Sequence, residues 1–260
     1  MSFRTYHAVS GADGSGILQQ VEDQRSRVRD RLRTVKRVIA LMSGKGGVGK
    51  SYVAAHLAQH WARSGSAVGV LDADLNGPTI PRLLGLDRIP HSVSRDAIEP
   101  AVSADGIRCF SMAQLIDEGR PLAFQGPAGE SFVWREVAEA AALREFLSDV
   151  AWGTLDVLVI DLPPGFQRCL ELCDFMPYPP EVLTVTIPTA ESRDAVRRAL
   201  RAAVERGVRL MGIVENMVGP QFPGDAGAEL AAEFGIPLVA RLPFNPDQAQ
   251  WTSLVHSLGP

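Results

Sequence analysis

The feature that most constrains this chain is the run Gly44-Lys45-Gly46-Gly47-Val48-Gly49-Lys50-Ser51, which directly follows the apolar stretch Val38–Met42 and opens a helical pattern. It fits G-x-x-x-x-G-K-[ST] in the strand–loop–helix context that this pattern requires. Glycines let the backbone curl until its N–H groups converge on phosphate oxygens, and the helix N-terminus adds a favourable dipole. Lys50 then neutralises β- and γ-phosphates, and the Ser51 hydroxyl is placed to ligate Mg²⁺. A chain with this loop is expected to be an α/β protein that binds a nucleotide.

The rest of the pattern agrees. Val38–Met42, Ala67–Leu71, Val157–Ile160, Val182–Thr186, Leu210–Val214 and Leu238–Leu242 are short runs rich in Val, Ile and Leu, as strands buried on both faces read. Helical spacing lies between them at Lys50–Arg63, Trp134–Phe146, Arg193–Glu205 and Ala226–Phe234. Strand and helix in alternation predict a doubly wound, mostly parallel sheet. Residues 86–130, with Pro90, Pro100, Pro121 and Pro127, break the rhythm and suit a small hairpin and a loop. The expected organisation is a lead-in at 1–16, a basic amphipathic helix at 17–35 and one domain over 36–260.

Composition narrows the function classes. Hydrophobic residues make up 46% and charged residues 22% of 260 positions, which suits a soluble globular protein. The formal charge of −4 offers no global basic excess for nucleic acid. No apolar run approaches the ~18 residues of a membrane helix, and the N-terminus lacks a signal peptide's apolar stretch. With 3 cysteines a disulfide scaffold is not expected, and a reducing cytoplasm is.

Three carboxylates stand where an open α/β sheet gathers its ligands, at strand C-termini. Asp72 and Asp74 end Ala67–Leu71; Asp161 ends Val157–Ile160 and precedes Pro163-Pro164-Gly165. Asp161 is expected to hold Mg²⁺ through water, with Asp72 and Asp74 shared between the metal and the attacking water; the plain alternative for the latter two is strand-end capping.

With these residues in view, the chain resembles the Mrp/ApbC group of P-loop ATPases, within the MinD/ParA class that carries an extra lysine in the loop. The matching segments are Met42–Ser51, Leu71–Gly85, Trp152–Gly165 and Gly212–Met217, together spanning about residues 36–250. The resemblance implies a homodimeric, ATP-hydrolysing carrier or scaffold for iron–sulfur clusters that serves an apo-protein client. It also implies that Lys45 is the lysine acting across the dimer, that Asp74 positions water, and that Asn216 reads the adenine. Alternatives are a ParA/MinD-like positioning ATPase and an ATP-sensing adaptor with negligible turnover.

The departures are as specific as the matches. Where the group carries a C-x-x-C pair after Glu-Asn-Met, residues 218–227 hold no cysteine. Tyr52 stands where the loop usually has Thr, and Phe166-Gln167-Arg168 where Thr-Gly-Asp usually follows Pro-Pro-Gly. Cys169 and Cys173, four apart, share a helical face. Two subunits meeting there would offer four thiolates to iron–sulfur or zinc; the alternative is two small buried residues.

Three further patterns carry two readings each. Seven basic residues lie between Arg25 and Arg37 against one acid, Asp30, which suits an anionic surface or a docked helix with solvated arginines. Arg193, Arg197 and Arg201 line one helical face, for a partner or for solvent. His56 and His60 stand at i, i+4 with no Glu for an H-E-x-x-H site, and are read as packing or surface residues.

Overall fold

The computed structural model describes residues 17–75, 77–87, 92–94, 97–111, 114 and 131–259. The lead-in 1–16 and most of the proline-bearing stretch lie outside them. In chain order the elements are α1 (Ile17–Leu32), β1 (Val35–Ser43), α2 (Lys50–Arg63), β2 (Val68–Asp72), α3 (Ile80–Leu83), β3 (Ser92–Val93), β4 (Ile98–Glu99), β5 (Ala101–Val102) and β6 (Arg108–Ser111). There follow α4 (Ser131–Asp149), β7 (Leu155–Asp161), α5 (Gln167–Phe175), β8 (Glu181–Thr186), α6 (Ala190–Glu205), β9 (Arg209–Val218), α7 (Ala226–Phe234), β10 (Leu238–Pro243) and α8 (Gln248–Leu258).

Among the described residues eight strands form one sheet in the order β10-β9-β8-β1-β7-β2-β6-β5, and only its β5–β6 pair is antiparallel. β3 and β4 make a separate two-stranded hairpin. Period-2 alternation sends β1 side chains to opposite faces. Ala40 and Met42 join Val28, Leu32, Leu147, Leu172, Leu200 and Leu230 on the face covered by α1 and α4–α7. Ile39 and Leu41 join Val53, Leu57, Trp61, Ile80 and Trp251 on the face covered by α2, α3 and α8. A sheet covered on both faces needs strands that are apolar throughout, which is why these strands read as continuous runs rather than alternating ones.

Strand register positions the site. β1 and β7 pair with Leu41 opposite Asp161, and β2 and β7 pair with Asp72 opposite Asp161. The two carboxylates therefore stand side by side at the edge from which the β1–α2 loop departs. β1 lies between β8 and β7, where successive connections leave in opposite directions, the switch point at which such sheets bind ligands.

Several expectations are resolved here. The basic helix ends at Leu32, not at residue 35, because Val35 pairs with Leu155 and starts β1. Val28 and Leu32 are fully buried, Arg25 donates to the Asp174 carbonyl at 3.0 Å, and Arg31 donates to that of Ser148 at 3.1 Å. The helix is docked. On α6, Arg193 pairs with Glu229 at 2.8 Å, and Arg197 pairs with Glu233 at 2.7 Å, so the arginine stripe ties α6 to α7. Among the described residues no helix is long and apolar enough to cross a membrane.

Candidate functional site

The loop between β1 and α2 lines a cleft of about 400 Å³ together with Asp74, Thr79 and Pro164. Its turn depends on Gly49, which caps α2 at φ 80°, a left-handed conformation that a side chain would strain. Gly44 has a different reason: a Cβ there would lie 2.5 Å from the Val196 backbone nitrogen, so only glycine lets α6 come this close. Ser43 Oγ donates to the Lys45 carbonyl at 2.9 Å, and the Asn216 amide nitrogen donates to the Val48 carbonyl at 3.0 Å. Asn216 is thus tied to the loop itself, and its Oδ1 accepts nothing among the described residues. Gly46 and Gly47 are exposed at the loop's tip, and Lys45 is half-exposed.

Lys50 forms an ion pair with Asp161 Oδ1, with side chains 6% and 0% exposed. Burial pushes the Asp161 carboxyl above its usual range, while the Lys50 ammonium and a hydrogen bond from Ser51 pull it back. Asp161 Oδ2 is buried with no hydrogen-bond partner among the described residues. An orphaned carboxylate oxygen beside the Ser51 hydroxyl is the donor set that a hard divalent cation takes, so these residues fit Mg²⁺.

Asp72 is differently placed. Its Oδ1 accepts from the Asp74 amide at 3.3 Å; its Oδ2 accepts from the Ile80 amide at 3.1 Å and from Ser111 Oγ at 3.4 Å. Both oxygens thus accept from the backbone that follows β2, at Asp74 and Ile80. Burial, with Asp161 adding to it, pushes the Asp72 pKa up to about 8. Asp74 accepts from the Gly77 amide at 3.2 Å and faces the cleft. Lys45 lies near Glu191 at the start of α6; that carboxyl is held below its usual range by a backbone hydrogen bond and Thr189, with Lys45 adding to them.

The cysteines require a correction. Cys169 is fully buried in the core against Leu172 and Phe175, and Cys173 packs half-buried against the same cluster. Their thiols hydrogen-bond to each other, which raises the Cys169 pKa and lowers that of Cys173. The spacing puts them on one face, as expected, but that face turns into the protein's own core and does not present four thiolates to a second subunit. Cys109 is also buried. Among the described residues no group of three or more His, Cys, Asp or Glu is assembled to hold a metal.

Residues 218–227, where the resembling group places its cysteine pair, are closed by other means. Glu215, fully buried, accepts from the Gly227 amide at 2.6 Å and from Arg241 at 2.8 Å. Arg241 also donates to the Gly224 carbonyl at 3.0 Å and pairs with Asp225 at 2.7 Å. Glu215 and Arg241 were not legible as a pair, since their contact exists only because β10 lies beside β9.

Comparison with known proteins bears on this geometry. A sequence model of the ParA family, described as NUBPL iron-transfer P-loop NTPase, matches residues 34–255. The chain belongs to this family. It is 33% identical over 246 residues to an iron–sulfur cluster carrier protein of Saccharolobus solfataricus, covering 90% of this chain and 80% of that one. It is 37% identical over 230 residues to the human cytosolic Fe-S cluster assembly factor NUBP2, covering 83% and 82%. A nucleotide-binding protein from Archaeoglobus fulgidus, solved with ADP, superposes with a TM-score of 0.68 at 33% identity over 91% of this chain and 94% of that one. The Pyrococcus furiosus cell division ATPase MinD, at 18% identity and a TM-score of 0.58, shares the fold.

Proposed function

We propose that this chain is a magnesium-dependent ATPase that works as a cytoplasmic homodimer in the handling of iron–sulfur clusters, passing them to an apo-protein client. The observation that carries the reading is the buried Lys50–Asp161 pair at the mouth of the β1–α2 loop. A lysine paired with a buried carboxylate at this loop is placed to engage β- and γ-phosphates. Ser51 and Asp161 would hold Mg²⁺, which would supply neutralisation of phosphate charge. With its oxygens engaged on the loop backbone, Asp72 orients the segment that carries Asp74, and Asp74 orients the attacking water. Asn216 Oδ1 suits the exocyclic amine of adenine, while the amide's nitrogen keeps its bond to Val48. Lys45 reaches the nucleotide of the facing subunit.

The cluster is cargo, and this chain's own thiols do not suit it. The 218–227 loop offers none, Cys109 and Cys169 are buried, and Cys173 alone is half-exposed, a single thiol where a cluster needs several. The thiolates that bind the cluster therefore come from a partner or client. The relatives named as iron–sulfur cluster carriers support the cargo class; the paired arginines of α6 weigh against a DNA-positioning role.

The test is anaerobic reconstitution with iron and sulfide, followed by transfer to an apo-ferredoxin. The isolated chain should retain less than one [4Fe–4S] cluster per dimer, yet accelerate transfer from a cluster-loaded thiol donor when Mg-ATP is present. No ATP-dependent acceleration would contradict the iron–sulfur role.

A further inference from the structure

Helix α5 carries two thiols that the nucleotide site does not use. Cys169 is fully buried in the core with Leu172, Phe175 and Met176, while Cys173, one turn on, is half-exposed. Cys169 donates a hydrogen bond to the Cys173 sulfur, and that bond holds the Cys173 thiol below its usual range. The two sulfurs are therefore turned toward each other, with Cys173 giving the pair an opening to solvent.

What a dithiol of this spacing can hold follows from geometry. Positions i and i+4 on a regular helix place Cβ atoms about 5–6 Å apart. A disulfide needs about 3.5–4.5 Å, so closing one here would distort α5 against the core that Leu172 and Phe175 join. An ion seated between the sulfurs needs no such approach. Structural zinc and iron–sulfur centres take four protein ligands. Among the described residues no third His, Cys, Asp or Glu joins the pair. A soft monovalent cation is satisfied by two thiolates in line, and soft sulfur donors select Cu(I).

Charge agrees. A coordinating thiol is deprotonated outright, so uptake of Cu(I) releases both thiol protons to solvent and leaves a complex with one negative charge. Beside Cys173, Arg206 pairs with Asp174 at 2.9 Å, and Arg25 donates to the Asp174 carbonyl at 3.0 Å. Two guanidinium groups against one carboxylate leave one positive charge to meet it. We infer that Cys169 and Cys173 form a two-coordinate site for a soft monovalent cation, Cu(I), entered past Cys173. The apolar shell of Leu172 and Phe175 keeps competing water from the bound ion. A single ion fits between two sulfurs where a cluster of several metal atoms does not, so the inference stands whether or not the chain handles clusters.

Anaerobic titration of the reduced full chain with Cu(I), against a chromophoric Cu(I) chelator such as bathocuproine disulfonate, tests this. Wild type should take one Cu(I) per chain, with two sulfur neighbours by X-ray absorption. Cys173→Ser should weaken binding by more than about a hundredfold, beyond what loss of an outer-sphere partner costs. Cys169→Ala should do the same, and Cys109→Ser should leave the affinity within about twofold of wild type. Wild-type protein that holds no Cu(I) against the chelator, or undiminished affinity in Cys173→Ser, would overturn the inference. Zn²⁺ held as tightly by the same two residues would overturn the choice of ion. Cys173 is half-exposed and serine is close to it in size, so this variant keeps the fold and decides the matter even if Cys169→Ala fails to fold.

Discussion

Replacing Lys50 with methionine should unfold the nucleotide-free protein more easily, because it strands Asp161. The carboxylate is fully buried, its Oδ1 pairs with Lys50, and its Oδ2 has no hydrogen-bond partner among the described residues. Breaking such a pair from one side costs about 3–5 kcal/mol. At roughly 2–4 °C per kcal/mol for a chain of this size, the melting temperature should fall by about 6–20 °C. Protonation of Asp161 offsets part of the cost, and this makes the effect depend on pH. Burial already raises the carboxyl above the usual carboxylate range, and losing Lys50 removes the largest opposing influence. A carboxyl whose folded pKa is raised stabilises the fold fully below its unfolded pKa and loses that contribution as pH rises through the folded pKa. The deficit of Lys50→Met should therefore be larger at pH 8 than at pH 5. Adding Asp161→Asn should recover more than half of it at pH 8. Thermal unfolding of the two variants at both pH values measures this. A Lys50→Met protein as stable as wild type at pH 8, with no gain from the second change, would refute the reasoning.

Three further outcomes follow from the same site. Asp74→Asn should bind Mg-ATP with wild-type affinity and hydrolyse it about a hundredfold more slowly, as phosphate release would show, because an amide is a poor partner for the attacking water. Lys45→Ala should bind ATP but lose the ATP-dependent dimer and about 10³-fold or more in turnover, the lower range for a cation delivered in trans; light scattering beside the turnover assay reads both. With the Asp72 pKa pushed up to about 8 from 3.8, its contribution to stability is fully present below pH 3.8 and lost as pH rises through about 8. Urea unfolding of the nucleotide-free protein should accordingly show a flatter decline between pH 5 and 8 in Asp72→Asn than in wild type.

What was legible in the sequence has a physical pattern. Gly44–Ser51 was readable because the loop, its preceding strand and its following helix are contiguous. The buried strands were readable because burial on both faces removes polar alternation, and Asp72 and Asp161 followed from the rule that parallel sheets gather ligands at strand C-termini. The Lys50–Asp161 pair joins residues 111 apart in sequence, and it required knowing that β7 lies between β1 and β2. The orientation of α5 was equally hidden. Spacing places Cys169 and Cys173 on one face, but only the packing of Leu172 and Phe175 says that this face turns inward. Tyr52, which lines the cleft, packs on His56, and His56 stacks on Trp251; this needs α8 laid against α2, and no local pattern announces that contact.

The most direct test of the account is a calorimetric titration of the wild-type chain with ATP, with and without Mg²⁺, beside Lys50→Met. One nucleotide bound per chain, tighter with Mg²⁺ and lost in the variant, is the predicted result. Wild-type protein that takes up no ATP, or that binds it equally well without Lys50, would contradict the claim that the β1–α2 loop is the working site.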